Sequence, residues 1–107
     1  MVAPLKVGIA GLGTVGAEVV RLIESQSRAL SARCGRGVKV VAVSARSKVK
    51  KRGLDLRGID WARNPLALAN DPRIDCFVEL MGGAGEPALS AIEAALRNGK
   101  SVVTANK

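Results

Sequence analysis

Short apolar runs along the chain alternate with segments whose apolar residues recur at the spacing of a helix. Each run is rich in apolar or β-branched residues, and glycine or polar residues follow it closely, which is typical of buried parallel strands. Four runs are predicted to be strands, at residues 6–10, 38–43, 76–80 and 101–104. Because strands that alternate with helices are joined by right-handed crossovers, we expect an α/β fold with one parallel sheet covered on both faces.

Three segments between these runs have the helical spacing. The first begins at Thr14 and ends before residue 35, and five of its apolar residues are expected to face the sheet: Val15, Val19, Leu22, Ile23 and Leu30. The second is short, with Asn64 as its capping residue and Pro65 at the first helical position, which suits both residue types. The third covers residues 87–98 before a glycine, and its apolar positions are Leu89, Ile92, Ala95 and Leu96.

A glycine-rich turn joins the first predicted strand to the first predicted helix. Its six residues match the pattern G-x-G-x-x-G: Gly11, Leu12, Gly13, Thr14, Val15 and Gly16. Between a strand and a helix, this pattern is typical of dinucleotide binding, with the pyrophosphate on the first amides of the helix. Gly11 would permit the tight turn, and Gly13 would let the pyrophosphate approach the backbone. Gly16 would allow the first helix to pack closely on the first strand. The alternative is an ordinary structural turn. The context favours a dinucleotide and a Rossmann-like doubly wound sheet, here incomplete with about four strands.

The residues after the second predicted strand decide between the two nicotinamide dinucleotides. An acidic residue there would bind the ribose hydroxyls of NAD, but none is present. Instead the hydroxyls of Ser44 and Ser47 accompany Arg46 and Lys48, and a guanidinium pairs well with a phosphate through two hydrogen bonds. We therefore expect NADP as the cofactor, with NAD possible. The alternative is that both cations are solvated surface charges, as we expect for the rest of the basic segment at residues 46–52.

Residues at the ends of the last two predicted strands are candidates for the nicotinamide side of the site. Gly82 and Gly83 follow the third strand at the edge where an open parallel sheet binds ligands, although a turn into the next helix would also explain them. Thr104, Asn106 and Lys107 follow the fourth strand at the same edge. The Lys107 ammonium could polarise a carbonyl oxygen during hydride transfer and so act as the catalytic group. By position alone, a solvated lysine is the alternative.

Composition limits the remaining classes of function. The chain has 107 residues, enough for one compact domain, and a formal net charge of +8, which favours an anionic partner. Aromatic residues make up only 2%, so it lacks a platform on which nucleic-acid bases could stack. No histidine is present and the two cysteines are far apart, so we expect reduced thiols and no metal site. No apolar run approaches membrane-spanning length and no secretory signal is recognisable, so we expect no membrane association and a cytoplasmic location.

Three segments together resemble the N-terminal NAD(P)-binding domain of homoserine dehydrogenase. They are Gly-Ile-Ala-Gly-Leu-Gly-Thr-Val-Gly at 8–16, Val-Glu-Leu-Met-Gly-Gly at 78–83, and Gly-Lys-Ser-Val-Val-Thr-Ala-Asn-Lys at 99–107. The resemblance covers essentially the whole chain and implies NADP(H)- or NAD(H)-linked interconversion of L-homoserine and L-aspartate 4-semialdehyde, a step of threonine and methionine biosynthesis. It implies that Lys107 lies near the reacting oxygen, while Thr104 and Asn106 help hold the nicotinamide nucleoside.

The resemblance also has consequences for domain organisation. Residues 1–107 would form part of the cofactor domain, with the substrate domain absent, so we expect the chain to bind nucleotide without turnover. The full-length enzyme would be a homodimer. Two alternatives remain open: the cofactor domain of another NADP oxidoreductase, and a regulatory module that senses nucleotide without chemistry.

Overall fold

Five parallel strands form a single sheet with helices on both faces. The computed structural model describes residues 4–45, 58–81 and 86–105. The strands are β1 (Leu5–Ala10), β2 (Val38–Ser44), β3 (Asp60–Trp61), β4 (Cys76–Glu79) and β5 (Ser101–Thr104), in the spatial order β3-β2-β1-β4-β5. The helices are α1 (Thr14–Ser25), α2 (Ser27–Cys34), α3 (Pro65–Ala69) and α4 (Ala88–Arg97). This order is that of the Rossmann fold, so the predicted doubly wound α/β fold is confirmed.

The central strand, β1, joins two hydrophobic clusters that lie on opposite faces of the sheet. It pairs with β2 on one side and with β4 on the other. One cluster packs α3 and α4 on the sheet around Leu68 and Phe77, both fully buried. The other packs α1 on the opposite face and includes Ile9 and Val20. Both faces of the sheet are therefore covered, as the alternation of elements predicts.

Two elements depart from the predicted pattern. The additional strand, β3, has only two residues and pairs with Ala42 and Val43 of β2. A run of two residues has no periodicity from which a strand could be predicted. The helical segment from Thr14 is divided at Gln26, which caps α1 by donating its backbone N–H to the carbonyl of Leu22. The segment therefore forms two helices rather than one.

The faces of α1 and α4 also differ from the prediction. In α1 the residues Val15 and Leu22 are exposed, whereas Ala17 and Val20 are buried. Of the predicted positions in α4, Ala95 is buried and Ile92 packs against the core, but Leu89 and Leu96 are exposed; the other buried residues of the helix are Ala88, Ala91 and Ala94. Small side chains allow a helix axis to approach a sheet closely, so the alanine face packs inward although the leucines are more hydrophobic.

The predicted start of the short helix is confirmed. The side chain of Asn64 accepts a hydrogen bond from the backbone N–H of Ala67 at 2.7 Å, and Pro65 occupies the first turn of α3. Helix α4 ends at Arg97 with Asn98 as its C-cap, and Gly99 follows with a φ of 74°, a conformation that glycine adopts without strain. Of the helices described, none combines the length and apolar character that crossing a membrane requires.

Candidate functional site

The carboxyl ends of four strands form a continuous row at one edge of the sheet. Ala10, the last residue of β1, pairs with Ser44 of β2 and with Glu79 of β4, and Glu79 in turn pairs with Thr104 of β5. The order of strands along the chain reverses between β1 and β4, and open parallel sheets bind ligands at such a switch point. The structure thus brings together the four strand ends from which the predicted site residues extend.

The glycine turn is shaped by two positions that have no room for a side chain. Gly11 has a φ of 103°, and a Cβ atom there would lie 2.8 Å from the backbone of Leu80. A Cβ atom on Gly16 would lie 1.8 Å from the carbonyl oxygen of Gly11. The backbone N–H of Gly11 donates to the carbonyl of Ser44 at 2.8 Å, which anchors the turn to β2. Gly11 therefore allows contact with β4, and Gly16 lets α1 start directly against the turn.

The third glycine, Gly13, has the opposite surroundings. It is exposed, and no heavy atom lies within 4 Å of the position that its Cβ would occupy. Gly13 is also the N-cap residue of α1, so it supplies no capping side chain, and no acidic residue lies in the first turn. The first amides of a helix carry partial positive charge and lack partners within the helix. The helix start and the open space beside Gly13 together suit an anionic group.

The other residues of the turn contribute in different ways. The side chain of Leu12 is buried in the cluster beneath α1, so only its backbone is suited to face a ligand. Thr14 begins the helix and places its backbone in the first turn. Val15 is 59% exposed and lies beside the turn on the outer surface. Sequence reasoning treated these three residues alike, because the motif does not distinguish a buried position from an exposed one.

The end of β2 carries no acidic side chain in the part of the chain that the structure describes. Ser44 ends the strand and Ala45 follows it. The Ser44 side chain is only 2% exposed, so its hydroxyl is not presented to a ligand as the sequence suggested. Arg46, Ser47 and Lys48 lie outside the described residues, and their roles stay predictions.

At the end of β4, a buried carboxylate links two neighbouring segments. Glu79 is 1% exposed; its Oε2 accepts the backbone N–H of Met81 at 2.8 Å, and its Oε1 accepts the hydroxyl of Thr104 at 2.6 Å. The main-chain carbonyl of Glu79 accepts the N–H of Ala105 at 3.0 Å. Both strand ends are therefore held by one residue.

Four further predicted site residues lie outside the described part of the chain. Gly82 and Gly83 come directly after Met81, and Asn106 and Lys107 come directly after Ala105. Thr104 is the one predicted residue of the nicotinamide side whose side chain the structure places, at the exposed end of β5. Its position beside the end of β4 agrees with a site that spans both strands.

Comparison with protein families identifies the kind of domain that has this geometry. The family described as "Homoserine dehydrogenase, NAD binding domain" matches residues 11–107. This chain belongs to that family. The Rossmann order of the strands and the glycine turn at the switch point are features expected of an NAD-binding domain.

Individual relatives agree with this assignment. The homoserine dehydrogenase of Pseudomonas aeruginosa is 42% identical over an alignment that covers 97% of this chain and 23% of the relative. A solved homoserine dehydrogenase from Thiobacillus denitrificans is 40% identical, with a TM-score of 0.85 over 96% of this chain and 23% of that one. One from S. aureus is 34% identical with a TM-score of 0.87, over 100% and 27% of the two chains. The chain spans about a quarter of the length of these relatives.

The described residues fit a nicotinamide dinucleotide. The space beside Gly13 is one that a Cβ would fill, and the start of α1 offers amides to a pyrophosphate. The contribution of Glu79 was missed by the sequence analysis, in which it is only one residue of the segment 78–83. Its signal was present as a charged residue within an apolar strand, since such a residue is seldom fully buried without hydrogen-bonding partners.

Proposed function

We propose that this chain forms the cofactor-binding part of an enzyme that interconverts L-homoserine and L-aspartate 4-semialdehyde with NADP(H). The observation that carries the proposal is the row of strand ends from Ser44 to Thr104, with the open start of α1 beside it. The family supports the reaction, because its members named above are homoserine dehydrogenases.

In this proposal the glycine turn binds the pyrophosphate. The backbones of Gly11 to Gly16 would approach the phosphate oxygens, and the amides at the start of α1 would donate hydrogen bonds to them. The exposed Gly13 supports this role, because the space at its Cα lets a ligand contact the main chain. Leu12, Thr14 and Val15 would take part through their backbone.

The preference for NADP rests on the segment after β2. Arg46 is proposed to pair with the 2′-phosphate through its guanidinium, and Ser47 and Lys48 to add a hydroxyl and a second cation. Strand β2 ends at Ser44 and is followed by Ala45, so neither of these positions is acidic, which supports the preference for NADP. A carboxylate there would repel the phosphate.

The nicotinamide side is proposed to lie at the ends of β4 and β5. Gly82 and Gly83 would allow close approach of the cofactor, and Thr104 and Asn106 would hold its nicotinamide nucleoside. When bound, the cofactor supplies or accepts the hydride. The ammonium of Lys107 would stabilise negative charge that develops on the substrate oxygen, which makes Lys107 the proposed catalytic residue.

The proposal extends to the enzyme of which such a domain is part. That enzyme is proposed to be a cytoplasmic homodimer that binds homoserine or aspartate semialdehyde in a further domain. The greater length of the relatives, of which this chain covers about a quarter, supports the further domain. The chain on its own, residues 1–107, is proposed to be one partial cofactor domain that binds nucleotide without turnover.

Calorimetric titration of the chain with NADP and with NAD tests the cofactor assignment. We expect NADP to bind more tightly, and Arg46→Ala to remove most of that difference while leaving NAD binding unchanged. Loss of a charge-assisted bidentate contact corresponds to a change of about 10-fold or more in Kd.

Lys39→Ala is the matched control for the loss of charge. Lys39 is an exposed cation of the same strand, β2, but lies near its opposite end. This variant should keep the preference for NADP. Equal affinities for the two dinucleotides in the unmodified chain would contradict the assignment of Arg46, and binding of neither by the folded chain would contradict the proposed function.

A further inference from the structure

Glu79 is a buried carboxylate at the centre of the row of strand ends. It is 1% exposed, and each of its side-chain oxygens accepts one hydrogen bond. Buried carboxylates are costly unless such partners compensate for lost hydration. Among the described residues no lysine or arginine forms a salt bridge with it, and its two donors are a backbone amide and a hydroxyl. Burial also prevents Glu79 itself from contacting a bound dinucleotide.

The two hydrogen bonds connect Glu79 with both proposed sides of the site. Met81, whose N–H binds Oε2, directly precedes Gly82 and Gly83. The adjacent peptide of Leu80 and Met81 lies against Gly11, where a Cβ would come within 2.9 Å of either residue's backbone. The N–H of Leu80 donates to the carbonyl of Ala10 at 2.8 Å. The carboxylate of Glu79 therefore holds two segments in place. One is the Leu80–Met81 segment, which contacts the glycine turn, and the other is the end of β5.

The hydrogen bond from Thr104 sets the direction in which its hydroxyl donates. The hydroxyl of Thr104 has a single proton, and it donates that proton to Oε1 of Glu79. A ligand group that contacts the hydroxyl oxygen of Thr104 must then donate a hydrogen bond to that oxygen. The nicotinamide nucleoside has such a donor in its carboxamide NH₂, a group that cannot accept a hydrogen bond.

We propose that Glu79 is a positioning residue that directs the hydroxyl of Thr104 so that it accepts a hydrogen bond from the nicotinamide nucleoside of the cofactor. This inference rests on the proposed function, because it requires that a dinucleotide lies across the strand ends. It adds a residue that acts through Thr104 and the Met81 amide rather than by touching the cofactor.

Substitution of Glu79 by glutamine separates this role from packing. The N–H of Met81 can only donate, so the new amide must turn its oxygen toward Met81 and its NH₂ group toward Thr104. The hydroxyl of Thr104 then accepts from that NH₂ group, and its own proton no longer points to residue 79. Glu79→Gln thus preserves the side-chain volume and keeps a hydrogen bond to both Met81 and Thr104, but the hydroxyl of Thr104 changes from donor to acceptor in its bond with residue 79.

The test compares binding of NADP with binding of 2′,5′-ADP, which contains no nicotinamide nucleoside. We expect Glu79→Gln to weaken NADP binding by about 3- to 10-fold, the range for one hydrogen bond, and to leave 2′,5′-ADP binding unchanged. Thr104→Val should produce a similar loss, and Glu79→Gln should have no further effect in that background. Ser101→Ala removes an exposed hydroxyl at the other end of β5 and serves as the control that affects neither ligand.

Each outcome bears on the proposal. An equal loss for NADP and 2′,5′-ADP together with a lower Tm would show that Glu79 only maintains the fold, and unchanged binding of both would show that the hydroxyl direction has no role. Either result overturns the inference while the proposed function stands. If the unmodified folded chain binds neither ligand, the proposed function fails and the inference fails with it.

Discussion

Gly13 and Gly16 are one helical turn apart but differ in what surrounds their Cα atoms. We predict that Gly16→Ala destabilises the fold by about 3 kcal/mol, because the new methyl group would overlap the carbonyl of Gly11 and displace the turn. Gly13→Ala should cost less than about 1 kcal/mol, since its φ of −70° suits alanine and only the preference for glycine over alanine at an N-cap is lost.

Urea unfolding of both variants provides the measurement, and dinucleotide titration separates their effects. Gly13→Ala should remain folded while its methyl group fills the space proposed for the pyrophosphate, so its affinity for NADP should fall. If Gly13→Ala binds NADP as tightly as the unmodified chain, the pyrophosphate does not approach the backbone at this position.

Asp71 is held by Arg73 in the connection between α3 and β4. The Arg73 guanidinium donates to both carboxylate oxygens, at 2.6 Å in the shortest contact, and this interaction lowers the pKa of Asp71 below its usual value near 3.8. A carboxylate whose pKa is lower in the folded state contributes stability above its unfolded pKa and loses it as the pH falls through the folded value.

We therefore predict that Asp71→Asn destabilises the fold at pH 7 by less than about 1 kcal/mol, because Arg73 is half exposed and solvent screens the pair. The difference in Tm between variant and unmodified chain should shrink as the pH falls below about 4. Glu93→Gln, which disrupts the longer and more exposed pair with Arg97, is the control and should change Tm little at either pH. A difference that grows on acidification would contradict the assignment.

Helix α4 shows how an element can be predicted correctly while its buried face is predicted only in part, with Ile92 and Ala95 packed inward but Leu89 and Leu96 exposed. Its apolar positions repeat at the helical period whether one follows Leu89, Ile92 and Leu96 or the alanines between them. Periodicity establishes that a helix is present, but side-chain size decides how closely it packs on the sheet. The leucine stripe was the more hydrophobic choice, and the alanine stripe is the buried one.

This difference can be measured in matched variants of α4. Ala91→Leu should destabilise the fold by about 1 to 3 kcal/mol, because Ala91 is fully buried between the helix and the sheet. Leu96→Ala should change stability by less than about 0.5 kcal/mol, because Leu96 is 59% exposed and alanine is the better helix former. The reverse ranking in thermal unfolding would mean that the leucine face packs inward in solution.

At the scale of the whole molecule, the sequence predicts the parallel sheet and its helices far better than the environment of single side chains. The alternation of elements and the position of Gly11 to Gly16 lead directly to a parallel sheet with its site at the carboxyl edge. The contacts of Glu79 with Thr104 depend on the register of β4 and β5, residues 25 apart along the chain, and no local pattern encodes that pairing. The burial of Ser44 likewise depends on contacts that form only in the folded sheet, where Ser44 pairs with Ala10 of β1.

The central place of β1 affects the time course of folding. This strand comes first of the five along the chain, yet its two partners begin at Val38 and Cys76, and its pairing with β4 joins Val7 to Cys76. Contacts of such sequence separation slow folding because long loops must close before they form. During synthesis on the ribosome, the apolar side chains of Val7 and Ile9 stay without their second neighbouring strand until most of the domain has been translated.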